Sequence, residues 1–347
     1  MIKVLMVGNS SSVKGGITTV INQFRNYDFE KYDIKLKFIP TYKDNNNVIK
    51  ILYFIIAYIR ILISIIFYKP DIIHIHMSYK GSFSRAYIIQ KLSILFKRKN
   101  IIHLHGSEFK KWYDSIADRK KEKVRLLLKN ANEFIVLGNQ WNDIIKEIEP
   151  NTNTIVLNNS VSIPETKAKF KKAKTLLFLG VLIKRKGVHD LIESLRGIEE
   201  TNYKLLIAGT GSEEMVLKEL VNKYNLKNIE FLGWIDTEEK ERLLLESQFM
   251  ILPSYNEGLP MSILESMSYG VPVLSTYVGD IPSVIQNEDN GYLFNSGNID
   301  ELRNYLKKII EMDNENWKNM STNAVLTIKK FFSEEKYFNH VIKLYKK

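Results

Sequence analysis

The chain has no cysteine, which excludes a disulfide framework, a thiolate nucleophile and a thiolate metal site. A reducing compartment suits such a chain, and this points to the cytoplasm. Asp-x-Asp occurs nowhere, so a common carboxylate grip on a divalent ion is missing. No helix-turn-helix, zinc-finger or RNA-binding signature is present, and neither a low-complexity segment nor a fixed-period repeat is visible. No basic region precedes the apolar run from Met1 to Gly8 and no small-residue cleavage site follows it, so it reads as a first strand and not as a signal.

What is present is a globular composition: 347 residues, 45% hydrophobic and 26% charged, with 8 Pro and 17 Gly, enough for two ordinary domains. The formal net charge of +11 is unevenly spread. Residues 1–165 hold 25 Lys and Arg against 14 Asp and Glu, whereas residues 166–347 hold 25 of each. The N-terminal half is therefore expected to face something anionic. Clusters at Lys97-Arg98-Lys99, Lys110-Lys111 and Arg119–Lys123 contribute, although any one of them reads equally well as a solvated face. Without a nucleic-acid signature, the headgroups of an anionic membrane leaflet are preferred to nucleic acid as partner.

Short apolar runs alternate with helical patterns: IKVLMVG, then ITTVINQF, later DIIHIHM, NIIHLHG, EFIVLG and TIVLNNS. Parallel strands with crossover helices have this signature. After the basic linker Lys167–Lys174 the pattern restarts with TLLFLG, KLLIAG, NIEFLG, FMILPS and VPVLST, each but the last two followed by a helical run. The expected fold class is α/β, with two doubly wound Rossmann-like domains over residues 1–163 and 164–332. A C-terminal helix at about 333–347 is expected to pack back on the first.

Val48–Tyr68 has nearly the length and apolarity of a membrane span. Lys50, Tyr53, Ala57, Arg60, Ser64 and Tyr68 recur every three or four residues as one polar or small stripe on it. Arg60 would be costly at mid-span, and Pro70-Asp71 and a strand follow at once. Three readings stay open: a packed crossover helix, a helix dipping an edge into the membrane interface, and a true span.

Five constellations could carry chemistry. Gly15-Gly16 opens a helix after the first strand, where backbone amides could cradle an anion, or form a plain tight turn. His74-Ile75-His76 and His103-Leu104-His105 each present two imidazoles to one face of a strand. A metal hydrolase is the sharp reading there and buried structural histidines the bland one for His74 and His103. His105 differs, because it leaves the carboxyl end of a strand, where open α/β sheets bind ligands. Lys184-Arg185-Lys186-Gly187 follows FLG and could set fixed cations beside a diphosphate, or be an ordinary basic loop. Gly209-Thr210-Gly211 opens another helix, but Glu214 stands where a dinucleotide fingerprint needs glycine.

The fifth is Pro253–Glu265, in which Glu257 and Glu265 bracket a Gly258-Leu259-Pro260 turn into a helix. A proline at or near the helix start leaves free amides pointing at whatever precedes it, and an anionic diphosphate suits that end. Ser262 and Glu265 could instead form a capping box, but Pro260 would make Ser262 internal.

The order of these motifs, GGITTVI, DIIHIH, HLHGSEF, FLG with KRKG, AGTG, FLGWI, NEGLPMSILESMSYGVPV, GDIP and NGYLF, resembles the family-four retaining glycosyltransferases of GT-B fold across both halves. The resemblance implies two domains facing a central cleft and transfer of a sugar from a nucleotide-diphosphate donor, UDP- or GDP-linked, with no cofactor and no divalent metal. It implies that Glu257 lies at the donor sugar, Glu265 on the ribose, and Gly258, Leu259 and the amides about Pro260 along sugar and diphosphate. Lys186 and Gly16, with Gly15, Arg185 and the Gly209-Thr210-Gly211 loop, would serve the donor phosphates, and His105 would lie near the anomeric centre. Catalysis would then fall to His105, Glu257 and Lys186. Three positions depart from the family: Val181 replaces an Arg after FLG, Ser160 replaces a Gly, and Asp280 stands for the second glycine of GGIP. The expected acceptor is a lipid-linked sugar or polysaccharide in capsule, exopolysaccharide or lipopolysaccharide assembly, met by a peripheral protein at the inner face of the cell membrane. A nucleotide-sugar epimerase of related fold and an inactive membrane-attached scaffold remain as alternatives.

Overall fold

The apolar runs become strands because a parallel strand is covered by helices on both faces and tolerates few polar side chains. A computed structural model describes residues 1–13, 15–198 and 203–347. The chain divides into two units, Met1–Asn159 with Tyr337–Lys347, and Ser160–Lys336.

In the first unit β1 (Ile2–Asn9), β2 (Ile34–Tyr42), β3 (Ile72–Met77), β4 (Lys99–Leu104), β5 (Glu133–Val136) and β6 (Thr154–Val156) form one parallel sheet in the order β2-β1-β3-β4-β5-β6. In the second, β7 (Lys174–Leu179), β8 (Tyr203–Ala208), β9 (Ile229–Gly233), β10 (Phe249–Leu252), β11 (Val273–Thr276) and β12 (Gly291–Phe294) form another, ordered β12-β11-β10-β7-β8-β9. Both are doubly wound, and the second has the dinucleotide-fold order. Strands β2 and β12 lie outside the runs picked from the sequence. β2 is an edge strand interrupted by Lys35, Lys37 and Pro40, and β12 is only four residues long.

The helix Asn47–Ile63 is the crossover from β2 to β3. Asn46 caps it, its side chain accepting from the Ile49 amide at 3.0 Å. A π turn, Ser64–Tyr68, extends it, with Ser64 Oγ donating to the Arg60 carbonyl at 2.8 Å, and left-handed Lys69 ends it before Pro70. Ala57 and Ser64 of the polar and small stripe are buried together with Ile61 and Ile65, whereas Arg60 of the same stripe is exposed, so only its small residues face the sheet. Most of the other aliphatic side chains, Ile51, Leu52, Ile55, Ile56, Ile59, Ile63 and Ile66, face outward, the reverse of an ordinary surface helix.

The last helix, Glu334–Lys346, completes the first unit's core from Tyr337 onward. Phe338 is 1% exposed and stacks on Tyr27 at 3.9 Å, with Phe24 edge-on at 5.3 Å. Tyr345 donates or accepts across 2.6 Å at His74 Nδ1, and burial holds its phenol well above the usual range. Behind it, His74, His76 and His103 are fully buried on one face of β3 and β4, with Phe24 edge-on to all three. Burial pushes His74 down to about 3, the nearby His105 adding to it, and drives His76 and His103 well below the ordinary value.

Two outcomes follow from this core. Phe338→Ala should cost the first unit about 3–5 kcal/mol in urea unfolding, as other buried Phe truncations do. The buried histidines stay neutral while the unfolded chain protonates near pH 6.5, so stability is full above that pH and falls as pH drops from about 6.5 toward 3, by about 1.4 kcal/mol per pH unit for each histidine. Melting curves from pH 7 to 5 should show this, and His103→Leu should make the slope shallower by one histidine's share. An unchanged slope would contradict it.

Candidate functional site

The strand order of the second unit reverses between β7 and β10, and the loops leaving β7, β8 and β10 meet there. Backbone contact binds them. Gly180 N donates to the Ala208 carbonyl at 3.1 Å and Leu182 N to the Thr210 carbonyl at 3.0 Å. A Cβ on Gly209, whose φ is +150°, would come within 1.8 Å of the Gly180 oxygen, and one on Gly211 within 2.1 Å of the Leu182 oxygen. The Gly209-Thr210-Gly211 loop therefore owes its glycines to the neighbouring backbone, a reason that the sequence pattern does not disclose.

Lys184–Lys186 is a single 3₁₀ turn closed by left-handed Gly187, where a Cβ would fall 1.9 Å from the Pro253 oxygen. Tyr255 N donates to the Arg185 carbonyl at 2.8 Å, pinning this turn to the loop after β10. The side chains converge on Glu257, which is 7% exposed. Lys186 Nζ lies 2.5 Å from Glu257 Oε1, and Arg185 Nη1 lies 3.5 Å from Oε2 while donating to the Asn256 carbonyl at 2.5 Å. Two cations share one carboxylate, so the cluster keeps a positive charge to offer an anion.

Pro260, extended, is the residue before helix Met261–Ser268, which no side chain caps. Ser262 is thus internal and makes no capping box, while Glu265 accepts from Lys240 Nζ at 2.7 Å across from helix Thr237–Glu246. Leu259 is buried, so only its backbone can face a ligand. The Gly258 carbonyl accepts from Asp280 N at 3.1 Å, and left-handed Gly279 packs so close that a Cβ would sit 2.2 Å from the Glu257 oxygen. Sequence reasoning missed three partners here: Lys240, the support of Gly279, and Tyr255, whose hydroxyl donates to Asp190 at 2.6 Å. That bond holds the Tyr255 phenol up at about 12. No local pattern could have paired Tyr255 with a residue 65 positions away. Val181 and Lys184 are exposed on the β7 loop, and Arg185 is already engaged.

The remaining predicted residues belong to the first unit. Gly15, at φ +128° with open space about it, precedes helix Gly16–Asn26, which no side chain caps. His105 follows β4, its amide donating to the Met77 carbonyl at 2.9 Å. Its ring Nε2 is 2.9 Å from His76 Nδ1, stacked at 12°, and burial pushes it down to about 3, so it is neutral at ordinary pH. His74, His76 and His103 hold their ring nitrogens within 4.8 Å of one another. Their rings are, however, stacked at 8° to 31° with centroids 4.5 to 5.6 Å apart, so the in-plane lone pairs run side by side and do not converge on one point. The group is arranged as a packed stack and does not have the form of a ligand set.

Residues 160–326 match the family of glycosyl transferases group 1. O-antigen chain mannosyltransferase B of Escherichia coli is 29% identical over 175 residues, covering 49% of this chain and 45% of that protein. The chain spans about half the length of the curated relatives it matches. Sucrose-phosphate synthase from Thermosynechococcus elongatus superposes with a TM-score of 0.85 over 100% of this chain and 98% of that one, at 16% identity. Anabaena HepE in complex with UDP superposes with a TM-score of 0.78 over 99% of both chains, also at 16% identity. Identities this low speak for the fold alone. The chain thus has the GT-B fold, and its residues 160–326 resemble the group 1 glycosyl transferases.

Proposed function

We propose that this protein transfers a sugar, with retention of configuration and without a divalent metal, from a nucleotide-diphosphate donor to a lipid-linked or polysaccharide acceptor at the inner face of a membrane. The observation that carries the reading is the Lys186–Glu257–Arg185 cluster, held by backbone contact at the switch point of a group 1 glycosyl transferase domain. HepE was solved with UDP, which supports a nucleotide donor. The mannosyltransferase of the O-antigen chain supports a polysaccharide setting, and a sucrose-phosphate synthase on the same fold is a reminder that fold does not choose the acceptor.

The second unit binds the donor. Lys186 and Arg185 exchange part of their hold on Glu257 for the diphosphate, and the uncapped start of helix Met261–Ser268 adds its amides. Glu257, so released, accepts from sugar hydroxyls, and Glu265 serves the ribose. As the glycosidic bond breaks, negative charge grows on the departing diphosphate, and cations already in place stabilise it without reorganising. His105 of the first unit, at the carboxyl end of β4, holds a neutral imidazole that can hydrogen-bond a hydroxyl without adding charge.

A thermal-shift screen against UDP-, GDP-, ADP- and TDP-sugars, with chelator present throughout, should raise the melting temperature for one base; no rise with any would remove the metal-free donor site. Lys186→Ala should lower turnover by about 10²–10³-fold, as loss of one preorganised donor does elsewhere, while the protein stays folded. Unchanged turnover would refute its role. A sugar altered with no acceptor present would favour the epimerase, and donor binding without any turnover the scaffold.

A further inference from the structure

The helix Asn47–Ile63 and its π turn present Ile51, Leu52, Ile56, Ile59, Ile63 and Phe67 outward, Ile51 at 62% and Phe67 at 79% exposure. Beside it runs helix Gly81–Leu95, which packs on the same core and ends in exposed Ile94 and Leu95. As consecutive crossovers of one parallel sheet, both helices run back from the carboxyl to the amino edge, so their apolar ends share that edge. Lys69 follows the first helix, and Lys97, Arg98 and Lys99 follow the second. From Asn45 to Ser107 the chain has nine basic residues and one acidic residue, Asp71. The first unit as a whole has 28 basic against 13 acidic residues, a net +15, and the second 22 against 26, a net −4.

We propose that this two-helix face is where the protein lies in an anionic lipid interface, its aliphatic side chains in the acyl boundary and its basic fringe on the headgroups. Contiguous apolar faces of this extent are uncommon on monomers that stay in water. Charge decides the occupant. A second copy would bring the same +15 unit and the same basic fringe against itself, whereas an anionic leaflet complements both features. Passage across the bilayer is disfavoured, because the helix would have to leave the sheet and pull Ala57, Ile61 and Ile65 out of the core. Arg60, exposed midway, can reach the headgroups from a helix lying flat. The inference rests on the membrane-borne acceptor proposed above for its purpose, and on the exposed face alone for its geometry.

The test is co-sedimentation of the whole protein with vesicles of phosphatidylcholine alone, or with about a third phosphatidylglycerol. Binding to the anionic vesicles, weakened by salt, is expected. The triple variant Leu52→Gln, Ile56→Gln, Ile59→Gln should bind about tenfold more weakly or worse and keep its melting temperature, since these side chains are exposed. Phe67→Trp should shift its emission to the blue on adding anionic vesicles. Equal binding by the triple variant, or no binding by the parent at low salt, would overturn the proposal. So would a dimer that the triple variant dissolves while neither protein binds vesicles. The nucleotide-sugar thermal shift, measured on the same triple variant, keeps failure of this surface distinct from failure of the donor site.

Discussion

The close passage of backbones at Gly187 and Gly209 is the constraint on which the loop cluster of the second unit depends. At each, a single methyl group would land less than 2 Å from a carbonyl oxygen, at Pro253 and at Gly180. The loops of β7, β8 and β10 can therefore touch only because side chains are missing there, and only then do Arg185 and Lys186 reach Glu257. Close approach also suits a turn of three residues: a longer loop would gain freedom and lose the fixed geometry that holds both cations on Glu257.

The charges are arranged on two scales. The second unit is net acidic, yet the group at its switch point is net positive, and beyond roughly 8–10 Å salt screens the rest. Attraction of any anion at the switch point is thus a local property of two side chains, Arg185 and Lys186. In the first unit the excess is spread over many lysines, which suits a wide anionic surface better than a single ligand.

How much of this the sequence disclosed can be traced residue by residue. The two-unit α/β plan was legible because buried parallel strands write themselves as apolar runs, and Glu257, Lys186 and Arg185 because they sit on strand-to-helix loops of recognisable form. The Glu265–Lys240 pair and the Tyr255–Asp190 bond were not, since each joins residues that only folding brings together. β12 was too short to announce itself. The Val48–Tyr68 segment was the most instructive: its periodicity showed a stripe, but which side of the stripe faced the sheet depended on how close the helix had to lie. Ala57 and Ser64 allow close packing, so the small residues went inward with Ile61 and Ile65, and most of the other isoleucines outward.

The return of the last helix to the first unit bears on how the chain is made. Phe338 and Tyr345 fill space among Phe24, Phe29 and His74, residues synthesised more than 260 positions earlier. During translation the first sheet must wait with that side of its core open while the whole of residues 160–336 emerges and folds. The second unit, though later in sequence, is the one able to finish first.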